Sequence, residues 1–334
     1  MRLLFIRHGD PDYVNDSLTK KGRREAECLA ELAPALDLGE VYASPMGRAQ
    51  ETASFSLRKT GKTAVTVPWL MEFLTGLDLN RHPELRRAYG ADTPKMAGRR
   101  NPSWMADREM QASPGQKAEP AGQEGLFWKD PRDSAAWEAL NRGLQDPTSR
   151  YSYTQLLHPE YLESYLPDAD GRYPEYASRI IWDILPSYAA EHPELFDPED
   201  WKRSDIASAG HVEEFSEYVF AGFDGMLKEH GYVRDGLYYR VTGANEGTVT
   251  CFCQLGLTCL LVSHLMNISP FTAMQAFAFA PTSVTEFVTE ERQKGLAQFR
   301  ALRLGDISPL TMGKEKPSFS ARFCETYDRQ DQRH

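Results

Sequence analysis

The stretch Leu3-Leu4-Phe5-Ile6, running into Arg7-His8-Gly9-Asp10-Pro11, decides how the chain reads. Four consecutive apolar residues are too few for a helix face and suit a strand covered on both sides. Gly9 and Pro11 then impose a loop, so Arg7 and His8 stand where strand gives way to turn. Downstream, residues 18–36 carry Ala26, Leu29, Ala30 and Ala33 at helical spacing, with Thr19 placed to cap them. Val41-Tyr42-Ala43 predicts a second strand and Ser44-Pro45-Met46-Gly47 a turn. A helix bearing Arg48, Ala49, Thr52 and Ala53 follows, then a third strand over 64–67 that ends at Pro68. Strand and helix alternating in this way predict a parallel α/β sheet.

The alternation stops near Gly76 and resumes at Thr248-Val249-Thr250-Cys251-Phe252-Cys253, a β-branched and aromatic run typical of a central strand. An apolar helix over 257–266 and strands over 283–288 and 299–304 complete the pattern. The reading is therefore an α/β core built from residues 1–75 and 246–334, interrupted by a loop-rich and partly helical insertion over 76–245. Within the insertion, residues 213–231 place Phe215, Tyr218, Val219 and Phe223 on one helical face. The acids of His211-Val212-Glu213-Glu214 are expected to favour the start of that helix, where the macrodipole welcomes negative charge. Trp104, Trp128, Trp137, Tyr151, Tyr153, Tyr161, Tyr165, Tyr173, Tyr176, Trp182 and Trp201 are expected to give the insertion a small core of its own. Arg86, Arg87, Arg99, Arg100 and Arg108 read mainly as solvated charges.

Composition excludes several functions. The 334 residues hold 38 Lys plus Arg against 48 Asp plus Glu, a net charge of −10, so general nucleic-acid binding is not expected. No apolar run reaches the roughly 18 residues of a membrane span, and Met1–Arg7 is too short for a secretory signal. Five cysteines, an odd number, read as reduced thiols in a cytoplasmic protein. Cys251 and Cys253 alternate onto one face of their strand and are expected to be packed there. The scattered histidines His82, His158, His192, His211 and His230 show no metal-ligand spacing. His264, on the late helix, reads as a solvent-facing or core-capping residue.

Ligands of open α/β sheets bind beyond the carboxyl ends of the strands. Four suggestive points fall there: Arg7-His8-Gly9, Ser44 to Arg48, Glu72 and Gln254. Guanidinium forks match phosphate oxygens, neutral imidazole attacks phosphorus, and a carboxylic acid protonates a leaving alkoxide. The set specifies metal-free phosphoryl transfer.

In their joint order, Arg7-His8-Gly9, Leu18-Thr19-x-x-Gly22 and Ser44-Pro45-x-x-Arg48-Ala49-x-x-Thr52-Ala53 resemble the histidine phosphatase superfamily, also called phosphoglycerate mutase-like. The resemblance covers about residues 1–75 and 246–305, and the long insertion is similar to that of a bacterial subgroup. It implies a three-layer α/β/α fold, a phosphohistidine intermediate, no cofactor and no metal. It also implies roles: His8 as nucleophile, Arg7 and Arg48 as phosphate ligands, Glu72 as proton donor, and the insertion as a cap. The expected partner is a small phosphorylated metabolite, with no nucleic acid and no membrane; a homodimer stands open beside a monomer. Gln254 departs from the pattern, since the family has a second histidine there; its amide still donates a hydrogen bond but carries no charge. The expected activity is phosphomonoester hydrolysis, slowed by this glutamine. The alternatives are an impaired pseudo-phosphatase that binds a phosphorylated ligand and a mutase-like phosphotransferase.

Overall fold

The computed structural model describes residues 1–12, 15–72, 76–79, 82–90 and 178–318. The elements in chain order begin with β1 (Arg2–Arg7), β2 (Pro11–Asp12), β3 (Ser17–Leu18), α1 (Lys20–Leu36), β4 (Glu40–Ala43), α2 (Gly47–Thr60) and β5 (Ala64–Thr66). Next come β6 (Gly76–Asp78), β7 (Ser178–Ile180), α3 (Pro186–Glu191), α4 (Asp205–Ala209), α5 (Val212–Glu229), β8 (Tyr232–Asp235) and β9 (Tyr238–Val241). The series closes with β10 (Thr248–Cys253), α6 (Leu255–Met266), α7 (Pro270–Ala276), β11 (Val284–Gln293), β12 (Leu296–Asp306) and α8 (Ser308–Met312).

One eight-stranded sheet organises them, in the order β5-β4-β10-β1-β11-β12-β9-β8. The pairings among β5, β4, β10 and β1 are parallel. Those from β1 onward to β8 are antiparallel, so β12 and β8 run with β1 while β11 and β9 run against it. The sheet is thus mixed, though most strands point one way. The cause is local: β11 and β12 are joined by Lys294-Gly295 alone, and so short a link closes only an antiparallel pair. Residues 232–241, which the sequence pattern assigns to the insertion, supply two strands of this sheet.

The three layers follow from side-chain alternation along the central strands. Leu3 and Phe5 of β1 enter one apolar cluster with Phe215, Val219 and Phe223 of α5 and Leu257 and Leu261 of α6. Leu4 and Ile6 enter the other, with Leu29 and Ala33 of α1, Ala53 of α2 and Phe252 of β10. One four-residue run therefore anchors helices on both faces, as its uninterrupted apolar character requires. Helix α6 is apolar nearly all round and is almost wholly buried, which suits a helix enclosed by sheet and neighbouring helices. Cys251 and Cys253 are buried in the first cluster, as expected for packing residues. Among the described residues no helix is long and apolar enough to cross a membrane.

Of the insertion, Trp182, Trp201, Arg86, Arg87, His82, His192, His211 and His230 are described; the other aromatic residues named above, Arg99, Arg100, Arg108, His158 and Cys324 lie outside the described residues. Trp201 packs edge-on against Phe271 of α7. Helix α5 begins at Val212 after His211, with Glu213 and Glu214 in its first turn, where their charge complements the helix. Of the two readings of His264, the structure has the core-capping one: it stacks on Phe220 and bonds Asp224 at 2.9 Å, fastening α6 to α5.

Helix α1 holds the loop after β1 in place. Thr19 accepts from Gly22 N at 3.0 Å as its cap, and Gly22 lies so close to the loop that a Cβ would fall 2.2 Å from Asp10 O. Glu25, one turn further and fully buried, accepts from Asp10 N at 2.8 Å and from Ser318 N at 3.0 Å. Burial pushes its carboxyl up from 4.5 to about 7, with the Asp10 charge adding and Lys21 opposing. A raised acid pKa means the folded state retains a proton that the unfolded chain has released between those two values. Stability is therefore expected to fall as pH rises from about 4.5 to about 7, by on the order of 3 kcal/mol from this group. Urea unfolding at pH 5 and pH 8 should show that fall in the wild type and a much flatter dependence in Glu25→Gln; equal slopes would contradict it.

Candidate active site

Register brings the predicted residues together. Arg7 pairs with Cys253 and Phe252 with Ala43, so β1, β10 and β4 end level with one another. The pairing continues one step beyond the strands: His8 N donates to Cys253 O and Ser44 N to Phe252 O, each at 2.9 Å. His8, Gln254 and Ser44 thus leave three adjacent strands at one edge. Glu72 reaches the same edge after β5 and the 3₁₀ turn Pro68–Leu70.

His8 is 1% exposed. Its Nδ1 lies 2.7 Å from Gly9 O. A carbonyl only accepts, so Nδ1 carries the proton and Nε2 keeps a lone pair. Arg48 Nε, a donor, points at that lone pair from 3.3 Å. Burial, then Arg48, then Arg7 hold the imidazole well below its usual pKa, so the ring is neutral near pH 7. Gly9 N donates to Thr52 Oγ1 and Thr52 Oγ1 to Arg48 O, which ties the histidine loop to α2.

Arg48 is buried to a side-chain exposure of 3% and its fork is divided. Besides His8 it meets Asp16 Oδ1 at 2.6 Å through Nη1 and Glu72 Oε2 at 3.2 Å through Nη2. Arg7, also buried, donates from Nη1 to Phe279 O at 2.6 Å, while its Nε has no partner among the described residues. Gln254 is fully buried; its Nε2 donates to Ser44 Oγ at 2.7 Å and its Oε1 is likewise unpartnered. Ser283 Oγ, from the segment that carries Thr282 N to Arg7 O at 3.0 Å, is a further buried and unpartnered polar atom. Buried groups left unmatched in this way are costly and rare, and three of those among the described residues, Arg7 Nε, Gln254 Oε1 and Ser283 Oγ, lie at this strand edge. The Cys253 thiol beneath is pushed up to about 12, by burial first and with the Glu72 charge contributing.

All five residues that the sequence pattern singles out, Arg7, His8, Arg48, Glu72 and Gln254, therefore belong to this one edge. Sequence reasoning misses Asp16. The signal that points to it is indirect: α2 begins at Met46-Gly47 with no side-chain cap and no acid in its first turn, so its free amides need an acceptor from elsewhere. Asp16 Oδ2 supplies it, accepting from Gly47 N at 2.6 Å. A side chain at 47 would put its Cβ 2.2 Å from Asp16 O, so glycine is what permits the approach.

Residues 3–124 match the model of the histidine phosphatase superfamily (branch 1). No curated protein matches the chain. Among solved structures, one described as mycobacterial hydrolase 2 is 15% identical with a TM-score of 0.42, covering 94% of this chain and 96% of its own. The α-ribazole phosphatase of Shigella flexneri is 15% identical with a TM-score of 0.40, covering 92% and 98%. A mycobacterial glucosyl-3-phosphoglycerate phosphatase is 14% identical with a TM-score of 0.40, covering 91% and 99%. Such distant likenesses carry no weight for substrate or mechanism. Residues 3–124, which bring Arg7-His8-Gly9 and Arg48 to the sheet edge, are thus the part of the chain that is similar to the histidine phosphatase superfamily.

Proposed function

We propose that the protein hydrolyses a small phosphomonoester through a phosphohistidine on His8. The observation that carries this reading is the state of the His8 ring: neutral, with Nδ1–H fixed on Gly9 O and the Nε2 lone pair beside the Arg48 guanidinium. That is the form in which imidazole is a nucleophile. In the proposed cycle Arg48 and Arg7 draw the phosphoryl oxygens, and the unpartnered Arg7 Nε gains an acceptor. Nε2 attacks phosphorus in line with the ester oxygen, which leaves as its P–O bond breaks, and Glu72 gives that oxygen a proton. Glu72 then takes a proton from water as the water attacks phosphorus and frees Nε2. The Gln254 amide holds an oxygen without charge.

A second reading rests on Gln254 itself. A neutral amide fully buried at the edge, with its oxygen unpartnered, also suits a protein that binds a phosphorylated ligand and turns it over poorly. Phosphate release across a panel of small phosphomonoesters separates the two. Release from at least one ester, lost in Arg48→Ala, supports the hydrolase. Binding of inorganic phosphate with no release from any ester supports the second reading.

A further inference from the structure

The anion-facing guanidinium is already engaged by an internal anion. Asp16 offers one carboxylate oxygen to Arg48 Nη1 and the other to the first amide of α2, both at 2.6 Å. Two diverging donors on a single anion are the arrangement that two phosphoryl oxygens would meet. The same guanidinium presents Nε to His8 Nε2 at 3.3 Å, so the carboxylate stands over the reacting edge. It is also on the open side: the Asp16 side chain is 38% exposed, against 3% for Arg48. A ligand arriving from water meets Asp16 first. Arg48 already faces the carboxyl groups of Asp16 and Glu72, at 2.6 and 3.2 Å, beside a neutral His8. A second anion entering beside Asp16 would be repelled unless Asp16 gives way.

We propose that Asp16 is a charge filter, a specificity-determining carboxylate that occupies the Arg48–Gly47 amide position and yields to a phosphate dianion but not to a monoanion. The inference rests on reading Arg7, His8 and Arg48 as an anion cradle. A monoanion such as an alkyl sulfate replaces one negative charge by another and gains nothing, while the tethered carboxylate has the advantage of high effective concentration. A dianion brings a further charge to two arginines and a third oxygen to the unpartnered Arg7 Nε, so it can displace the carboxylate. The Asp16 carboxylate then leaves the start of α2.

The test is calorimetric titration of the whole protein with inorganic phosphate and with methyl sulfate at pH 8. Wild type is expected to bind phosphate and not methyl sulfate. Asp16→Asn, which keeps the size and loses the charge, should bind phosphate at least about 10-fold more tightly and bring methyl sulfate into measurable range. Asp16→Glu retains the charge and should resemble wild type in both titrations, which keeps the idea testable should the asparagine variant fold poorly. Phosphate bound equally or more weakly by Asp16→Asn would overturn the filter and make Asp16 a positioning residue for Arg48. So would tight methyl sulfate binding by wild type or by Asp16→Glu. Absence of phosphate binding in every variant would overturn the cradle itself and this inference with it.

Discussion

Replacing His8 by alanine should lower phosphate release by at least roughly 10³-fold, about 4 kcal/mol of barrier, while inorganic phosphate still binds. The two effects separate because different groups carry them. Bond formation to phosphorus depends on the Nε2 lone pair, which alanine lacks, and no other described nucleophile is held against Arg48 in the same way. Anion attraction depends on Arg7 and Arg48, and neither is anchored chiefly by the ring. Arg7 is held by Phe279 O, and Arg48 by Asp16 and Glu72. Rapid quenching of wild type with a labelled ester should trap an acid-labile, base-stable phosphoryl group on His8, and the variant should trap none. Full activity in His8→Ala would end the covalent route. Loss of phosphate binding along with activity would instead mean that the ring organises the cradle, and the kinetic effect would then say nothing about attack.

Much of this site is legible in the amino-acid sequence because its parts are local. Leu3-Leu4-Phe5-Ile6 must be covered on both faces, the helical crossovers α1 and α2 return the chain so that β1, β4 and β5 run parallel, and the side chains just past the strand ends then share an edge. What escapes is set by contacts distant in sequence. Tyr232-Val233-Arg234-Asp235 and Tyr238-Tyr239-Arg240-Val241 mix polar with aromatic residues, as strands at the sheet's far edge can, and following the insertion they read as part of it. The length of β11 also escapes, because its outer half, Thr289–Gln293, is polar and increasingly exposed and lacks the apolar character of its first residues; β12 begins three residues before the stretch read from the sequence and ends two after it. Asp16 escapes because its partner, the uncapped start of α2, lies 31 residues away. Glu25 escapes for the opposite reason: an acid at a helical surface spacing gives no sign that Ser318, 293 residues later, closes over it.

Gln254→His is the other substitution with a large expected effect, a rise in kcat/KM of about 10- to 100-fold. A hydrogen bond from a charged donor is worth roughly twice that from a neutral one, and about 1.4 kcal/mol corresponds to each decade of rate. The site can take the ring: histidine is close to glutamine in size, position 254 lies directly beyond β10, and Ser44 Oγ is within 2.7 Å of the present amide nitrogen to fix one ring nitrogen. The unmatched Gln254 Oε1 disappears in the exchange. Charge is the difficulty. Burial, Arg48 and Arg7 already push the neighbouring His8 ring to its neutral form, and they would act on a second ring at the same edge. The new imidazole should therefore take up its proton only when a phosphate dianion is bound, which stabilises the positive form. That places the gain in kcat/KM and makes it fade as pH rises and the proton is lost. A pH profile of the variant should accordingly show a basic limb in addition to the one that the Glu72 acid gives the wild type. A variant slower than wild type at every pH would mean that the glutamine amide is itself the fitted ligand, and that the protein works at the rate its neutral edge allows.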